Sequence, residues 1–453
     1  MDRIAREGVA FTDAHSGSAV CTPTRYGVLT GRYSWRSTLK KSVLQGYSPA
    51  LIPPQRTTVA SFLKPHGYRS ACVGKWHLGL NWATKNKGKA GEGNVDYAKP
   101  VADGPCALGF DYFFGIPASL DMTPYAYVEN DRVVEAPTDT IAERKGMGFY
   151  RGGPVAPGFK HIDVLPDLTK KAIEVIDGHA ANHADAPLFL YCPLPAPHTP
   201  ILPTPEFQGK SKAGTYGDFV CQVDGTVGQI LDALDRNGMA DNTLIVLTSD
   251  NGCSPMAQFG ELRKMGHEPS YHFRGHKADI FEGGHRIPFL VRWPDQIQAG
   301  STCDHTVCLT DLLATTAGIV GATLPDDAGE DSVNLLPALL GKAEKPAREA
   351  VVHHSINGSF AIRQGKWKLE FCPGSGGWSA PRPDKAKKQG LPKIQLYDLG
   401  IDIGEKTNVY DQHPDVVERL TELLQQYIEK GRSTPGKPQQ NEGRTSLWGP
   451  KGK

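Results

Sequence analysis

The sequence is short of the features that would place it in a special class. No apolar stretch is long enough to span a bilayer; residues 307–324 come nearest, and Asp311 with several threonines interrupts them. Fifty Lys and Arg stand against 49 Asp and Glu, without a long run of like charge, so neither nucleic acid nor an anionic membrane is an expected partner. No internal repeat occurs, which excludes a solenoid or propeller array. Nine cysteines, at 21, 72, 106, 192, 221, 253, 303, 308 and 372, include no pair at zinc-site spacing with histidines around it. With Cys21 set aside, the even remainder permits disulfides without showing them. Cys192 and Cys221 lie in apolar segments and read as core. There is no secretory leader either: the chain opens directly into an amphipathic pattern, Met1-Asp-Arg-Ile-Ala-Arg-Glu7.

What remains is an ordinary globular composition, 39% hydrophobic and 22% charged over 453 residues. That length suits one large domain with a smaller one, or two ordinary domains. Four segments read as buried strands: 69–75, 187–193, 243–249 and 288–293. Between them, 218–237 places Phe219, Val220, Val223, Val227, Ile230, Leu231 and Leu234 on one helical face, with Gly238 as its stop. A shorter helix is expected over 168–176. Strands alternating with helices predict an α/β fold, a large mostly parallel sheet flanked by helices. Composition shifts near residues 343–346. Short strands at 359–363, 366–371 and 394–398 then precede a helix begun by an Asp415/Glu418 capping box and ended by Gly431. We therefore expect a catalytic α/β domain over 1–344, a C-terminal antiparallel α+β subdomain over 345–431, and a loose tail over 432–453. The Gly/Lys/Pro-rich stretches 83–105 and 373–392 are expected to be mobile insertions.

Five clusters carry chemistry. Cys21-Thr-Pro-Thr-Arg25, running on to Leu29-Thr-Gly-Arg32, puts a thiol in a small polar turn, unlike a core cysteine. Gly74-Lys75-Trp-His77-Leu-Gly79 follows a strand. Pro195-Ala-Pro-His198-Thr-Pro200 flanks a histidine with prolines. Ser249-Asp250-Asn251-Gly252 sets a carboxylate beside an amide oxygen, a pair suited to a hard cation such as Ca²⁺, although Asp-Asn-Gly is also a common turn. Arg274-Gly-His276-Lys277 precedes Glu282-Gly-Gly-His285-Arg-Ile-Pro288, which reads as a turn into the next strand. Three clusters follow expected strands, where open α/β sheets bind ligands.

In their order and spacing these clusters resemble the formylglycine-dependent sulfatases, arylsulfatase-like members of the alkaline-phosphatase superfamily, from residue 2 to about residue 430. The resemblance implies oxidation of Cys21 to formylglycine (3-oxoalanine) by a separate formylglycine-generating enzyme. The hydrated aldehyde would attack sulfur, form a covalent sulfo-enzyme and then expel sulfate. It also implies Asp250, Asn251 and residue 21 as ligands of Ca²⁺ or Mg²⁺. Arg25 would hold the formylglycine, Lys75 and Lys277 would bind sulfate, His77 would assist elimination, and His198 would protonate the leaving oxygen. His276 and His285 are expected near the substrate without an assigned role. The substrate would be an aryl sulfate or a sulfated carbohydrate, with galactose or N-acetylgalactosamine units favoured by 109–124 and 198–209. A phosphonate or phosphate ester hydrolase on the same site, or an inactive relative that binds sulfated glycans, are the alternatives. In the family two adjacent aspartates on a first strand complete the metal site. They lie upstream of the position of Asp2, and Asp2 and Asp13 do not match their context. The expectation is therefore a chain that begins after that strand, its longer form periplasmic or secreted, with weak Ca²⁺ binding and low activity as given.

Overall fold

The structure is a computed structural model, described for residues 1–449. The elements used below are β1 (Val9–Phe11), α1 (Cys21–Thr30), β2 (Arg69–Lys75), β3 (Tyr112–Ile116), α2 (Val164–Asn182), β4 (Leu188–Tyr191), α3 (Gly214–Arg236), β5 (Ile245–Thr248), β6 (Phe289–Arg292), β7 (Ser301–Cys303), β8 (Val351–His354), β9 (Phe360–Gln364), β10 (Trp367–Glu370), β11 (Gln395–Asp398) and α4 (Pro414–Glu429). They form two compact units. The first holds Met1, 44–243 and 256–267; the second holds 2–43, 244–255 and the chain from 268 onward.

The first unit is built on a five-stranded sheet. β2 lies parallel to both β3 and β4, and the two-residue strands Val128–Glu129 and Arg132–Val133 extend the sheet antiparallel beyond β3. β2 is buried on both faces from Ser70 to Lys75, as a central parallel strand should be. α2 packs Val164, Leu168 and Ala172 against Val73 and Ile116 of this sheet. α3 buries Phe219, Val223, Val227, Leu231 and Leu234, largely the stripe expected from the sequence. Each such side chain removed from water contributes about 1.5–3 kcal/mol, so the stripe outweighs the glycines within the helix. α2 runs well beyond the expected 168–176, because polar positions in its flanking turns still leave Val164, Leu165 and His179 buried.

The second unit carries two sheets. β5 pairs antiparallel with β6, β6 antiparallel with β1, and β1 parallel with β7. The antiparallel order β8-β9-β10-β11 forms the C-terminal sheet. α4 covers it with Val416, Leu420, Leu424, Tyr427 and Ile428. The α/β class holds, and both larger sheets are mixed. β8 had no strand signal of its own, since His353 and His354 hide an apolar pattern in a strand buried on both faces.

Three local expectations are corrected. The Asp415/Glu418 box does not form: α4 starts on His413 with no side-chain cap and Pro414 at its first position, where a missing N–H costs nothing. The described part of the tail, 432–449, is packed rather than loose. Arg32 donates to Gln440 O at 2.8 Å, Asn441 Nδ2 to Ile428 O at 2.6 Å, and Glu442 N to Arg36 O at 2.6 Å. Its last four residues lie outside the described chain. The stretch 373–392 contains a helix, Pro383–Lys388, with Ala386 buried. None of the nine cysteines forms a disulfide.

Candidate functional site

Cys21, Arg25, Asp250, Asn251 and Lys277 belong to the second unit; Lys75, His77 and His198 belong to the first.

In the second unit Cys21 is the first residue of α1, entered from an extended Val20. Pro23 sits in the first turn, where its lack of an N–H is harmless. Thr24 Oγ1 donates to Ser18 O at 3.0 Å and Val20 O at 3.1 Å, which fixes the approach of the chain. The helix closes on Gly31, whose left-handed backbone (φ 63°) lets its N–H reach Gly27 O at 2.9 Å. Cys21 is thus held, buried, at the positive end of a helix dipole, a place that favours an anionic nucleophile or oxyanion. Arg25, one turn on and on the same face, donates from Nη2 to Asp250 Oδ2 at 3.0 Å.

Asp250 and Asn251 form the turn after β5. Ser249 Oγ donates to Asn251 O at 2.9 Å and Gly252 N to Gly284 O at 2.9 Å. Asn251 Nδ2 donates to Gly252 O at 3.0 Å, which leaves its Oδ1 buried without a donor. A buried, unserved amide oxygen beside a carboxylate is what a hard cation would satisfy. Cys21, Asp250 and Asn251 therefore fit such an ion in kind, although they supply fewer oxygens than Ca²⁺ usually takes.

Lys277 joins these segments. Its N–H donates to Cys253 O at 3.0 Å, and the next N–H, of Ala278, donates to Ala19 O at 2.8 Å. The loop is thereby tied both to the Asp250 turn and to the entry of α1. Lys277 is only 4% exposed, and its ammonium makes no hydrogen bond or ion pair among the described residues. The nearest carboxylate in sequence, Asp279, is already engaged by the N–H groups of His276, Trp378 and Ser379. A buried ammonium without an anion is costly, and an anionic ligand removes that cost.

Behind this loop lies a network that sequence reasoning missed. Glu282–His285 is a buried helical turn. His285 does not face a substrate: it is fully buried, its ring stacked 3.6 Å from that of His353, with Nδ1 3.1 Å from Nδ1 of His15. Burial holds His15, His285 and His353 below the ordinary histidine range, so all three are neutral. Among the described residues, these three and Glu282 form the one cluster of His, Cys, Asp and Glu compact enough for a metal. A cation already serves it. Lys368 Nζ lies 2.9 Å from Ile280 O, 2.7 Å from Glu405 Oε1, 3.2 Å from Glu282 Oε1 and 3.0 Å from His285 Nε2. Asp13 is likewise engaged, by His15, Thr306, Arg286 and Arg363, so it does not stand in for an upstream aspartate. No sequence spacing signals the network, because its members come from five separated segments.

In the first unit Lys75 ends β2, 1% exposed, with Nζ donating to Ser119 Oγ at 3.2 Å. Gly74 before it has φ 147°, and a Cβ there would lie 2.3 Å from Pro193 O. Only glycine lets β2 come this close to the segment after β4. His77 is fully buried and adopts a left-handed backbone (φ 55°), a strained choice for a residue with a side chain. Its Nε2 hydrogen-bonds Leu44 O at 2.8 Å and its Nδ1 is buried without a partner. His198 stands beside the Lys75 group: its Nδ1 is 3.5 Å from Ser119 Oγ and 3.9 Å from Asp121 Oδ1. Ser119 lies in the 109–124 segment that the sequence ties to the substrate, and no role was assigned to it there; Asp121, a candidate replacement for the missing aspartate pair, stands beside His198 instead.

Comparison with known proteins agrees with this picture. The family model described as Sulfatase matches residues 1–322. An N-acetylgalactosamine-6-O-sulfatase of Bacteroides thetaiotaomicron is 35% identical over 94% of this chain and 87% of its own length. The Homo sapiens N-acetylgalactosamine-6-sulfatase is 29% identical over 97% of this chain and 82% of its own. A solved Bacteroides thetaiotaomicron structure, described as a 6S-sulf protein from the metabolism of multiple glycosaminoglycans, aligns with a TM-score of 0.81 at 33% identity, covering 94% of this chain and 92% of that one.

Proposed function

The chain belongs to the sulfatase family of sulfuric ester hydrolases, and on that premise we propose that it removes sulfate from a sulfated glycan, with 6-O-sulfated N-acetylgalactosamine as the unit. The observation that best supports the reading is Lys277: a buried residue whose ammonium has no partner among the described residues, on a loop hydrogen-bonded to both the Cys21 and the Asp250 segments. The substrate class follows the names of the relatives at 35% and 29% identity.

Position 21, if carried as the hydrated aldehyde, would supply the two hydroxyls that the attack on sulfur and the release of sulfate need. Asp250, Asn251 and residue 21 would hold a divalent cation, which would supply positive charge for the sulfate oxygens. The protein's own groups do the rest. The N-terminus of α1 and the ammonium groups of Lys75 and Lys277 favour the charge that grows on the sulfate oxygens. Arg25 orients the nucleophile from one turn away while bound to Asp250. His77 takes part in releasing sulfate, and His198 gives a proton to the leaving oxygen.

The test has two parts. Mass spectrometry of the Cys21 peptide, from a host with a formylglycine-generating enzyme, should show aldehyde or hydrate. That preparation should desulfate N-acetylgalactosamine 6-sulfate in preference to the 4-sulfate, and an aryl sulfate in preference to an aryl phosphonate. A fully reduced Cys21 in a folded, maturation-competent preparation would sink the mechanism; preference for the phosphonate would move the chain to the alternative ester class.

A further inference from the structure

Asp121 is a buried carboxylate that the mechanism above does not use. It is 5% exposed, and its Oδ1 makes no hydrogen bond. Its Oδ2 accepts from Arg151 Nη1 at 2.5 Å, and Arg151 Nη1 also donates to the Asp121 carbonyl at 3.0 Å. The free oxygen, Oδ1, lies 3.9 Å from Nδ1 of His198. On its other side Nδ1 meets Thr199 O at 2.8 Å. A carbonyl oxygen can only accept, and the hydroxyls of Thr199 at 3.1 Å and Ser119 at 3.5 Å can accept as well, so Nδ1–H is the tautomer that satisfies this side of the ring. The transferable proton therefore belongs on Nε2. The remaining charged and titratable neighbours are Lys75, bridged to His198 by Ser119, and Tyr125, whose hydroxyl Asp121 and burial together keep protonated.

We propose that Asp121 is a positioning residue for His198: it holds the imidazole with Nδ1–H inward and stabilises the imidazolium form, so that Nε2–H is available to the leaving oxygen. The inference rests on the sulfatase reading given above. As the sulfur–oxygen bond to the sugar breaks, its electron pair stays on the sugar oxygen, which takes the Nε2 proton. His198 becomes neutral and is reprotonated from water. The charge that Asp121 Oδ1 lacks in the resting neutral state is the one His198 carries just before transfer. An unpaired buried carboxylate oxygen costs free energy, and the imidazolium is its one nearby partner besides Arg151.

The experiment compares leaving groups. An alkyl sulfate of a sugar needs a proton on its leaving oxygen, whereas 4-nitrocatechol sulfate leaves as a stabilised phenolate. In the aldehyde-bearing enzyme, Asp121→Asn keeps an acceptor for Arg151 and removes the charge. It should lower kcat on N-acetylgalactosamine 6-sulfate by about 100-fold with KM little changed. It should move the basic limb of the pH profile down by about one pH unit, and leave 4-nitrocatechol sulfate turnover within about threefold. His198→Ala should lose more turnover on the sugar sulfate than on 4-nitrocatechol sulfate. Equal losses on both substrates, an unmoved pH profile, or a raised KM alone would overturn the proposal, the last by making Asp121 a contact to the sugar. Imidazole nitrogen NMR of the unmutated protein gives an answer even if the variant does not fold: neutral His198 should carry its proton on Nδ1, and Nε2–H would overturn the inference. Wild-type enzyme that bears the aldehyde and hydrolyses neither sulfate would defeat the functional reading itself, a result separate from any failure confined to the variant.

Discussion

Replacing Lys277 with methionine should separate stability from function. The methionine keeps most of the side-chain volume and removes the charge. In the wild type that charge is 4% exposed and meets no anion among the described residues. Taking an ammonium out of water without a partner costs several kcal/mol even after relaxation. The variant should therefore be as stable as the parent or more stable, by about 1–3 kcal/mol, read as an unchanged or raised melting midpoint. Turnover should move the other way. A charge-assisted contact from Lys277 Nζ to a sulfate oxygen in so enclosed a place is worth about 2–4 kcal/mol in the transition state. At about 1.4 kcal/mol per factor of ten, kcat/KM on a sugar sulfate should fall roughly 30- to 1000-fold. Lys75→Met makes the comparison. Its ammonium donates to Ser119 Oγ in the resting protein, so its loss should cost activity without the gain in stability. A Lys277→Met protein that melts lower while keeping kcat/KM within about threefold of the parent would refute the reasoning, because Lys277 would then be a structural cation and the anion pocket misplaced.

Gly74→Ala should destabilise strongly, by more than about 3 kcal/mol, because φ 147° excludes a side chain and the new Cβ would lie 2.3 Å from Pro193 O; an unchanged melting midpoint would mean that β2 and the segment after β4 can separate freely. Acid should weaken the fold through its buried histidines. Burial lowers His354 to about 4 and keeps His15, His285 and His353 below their usual range. The unfolded chain, with histidines near about 6.5, takes up protons first. The stability these groups contribute is complete above about pH 6.5 and is lost as pH falls towards 4, by about 3 kcal/mol for His354 alone; a melting midpoint flat from pH 7 to 4.5 would contradict this. Ca²⁺ in excess of its dissociation constant should raise the melting midpoint. Asn251→Ala should abolish that rise and lower metal-free stability by no more than about 1 kcal/mol, since the Nδ2 bond to Gly252 O is lost while Oδ1 has no donor to forfeit; a rise that survives in the variant would place the ion elsewhere.

Much of this molecule was legible one residue at a time. The seven positions of β2 and the apolar stripe of α3 follow from a short buried-strand run and from helical patterning, and each is decided by neighbours close in sequence. The chemistry-bearing turns were visible for the same reason. Pro23 and Gly31 shape the segment around Cys21, and Gly252 ends the Asp250 turn, through local backbone preferences that a short string reveals. Other features depend on distant partners. β8 is a strand because β9 pairs with it, although its own sequence offers two histidines. The expected Asp415 cap lost to His413 and Pro414, which start α4 two residues earlier. The described tail is ordered because Arg32 and Arg36, some four hundred residues away, supply its hydrogen bonds. The sequence by itself thus determined which residue types stand in which short motifs, and with them the family. The tertiary structure alone decided which charges have partners. Among the described residues it left Asp121 Oδ1 buried without a hydrogen bond and the Lys277 ammonium without an anion, and it locked His285 and Asp13 into a closed network around Lys368 and Arg363. The physical reason is that burial and pairing are set by what folding brings together across the whole chain, and no local window contains that information.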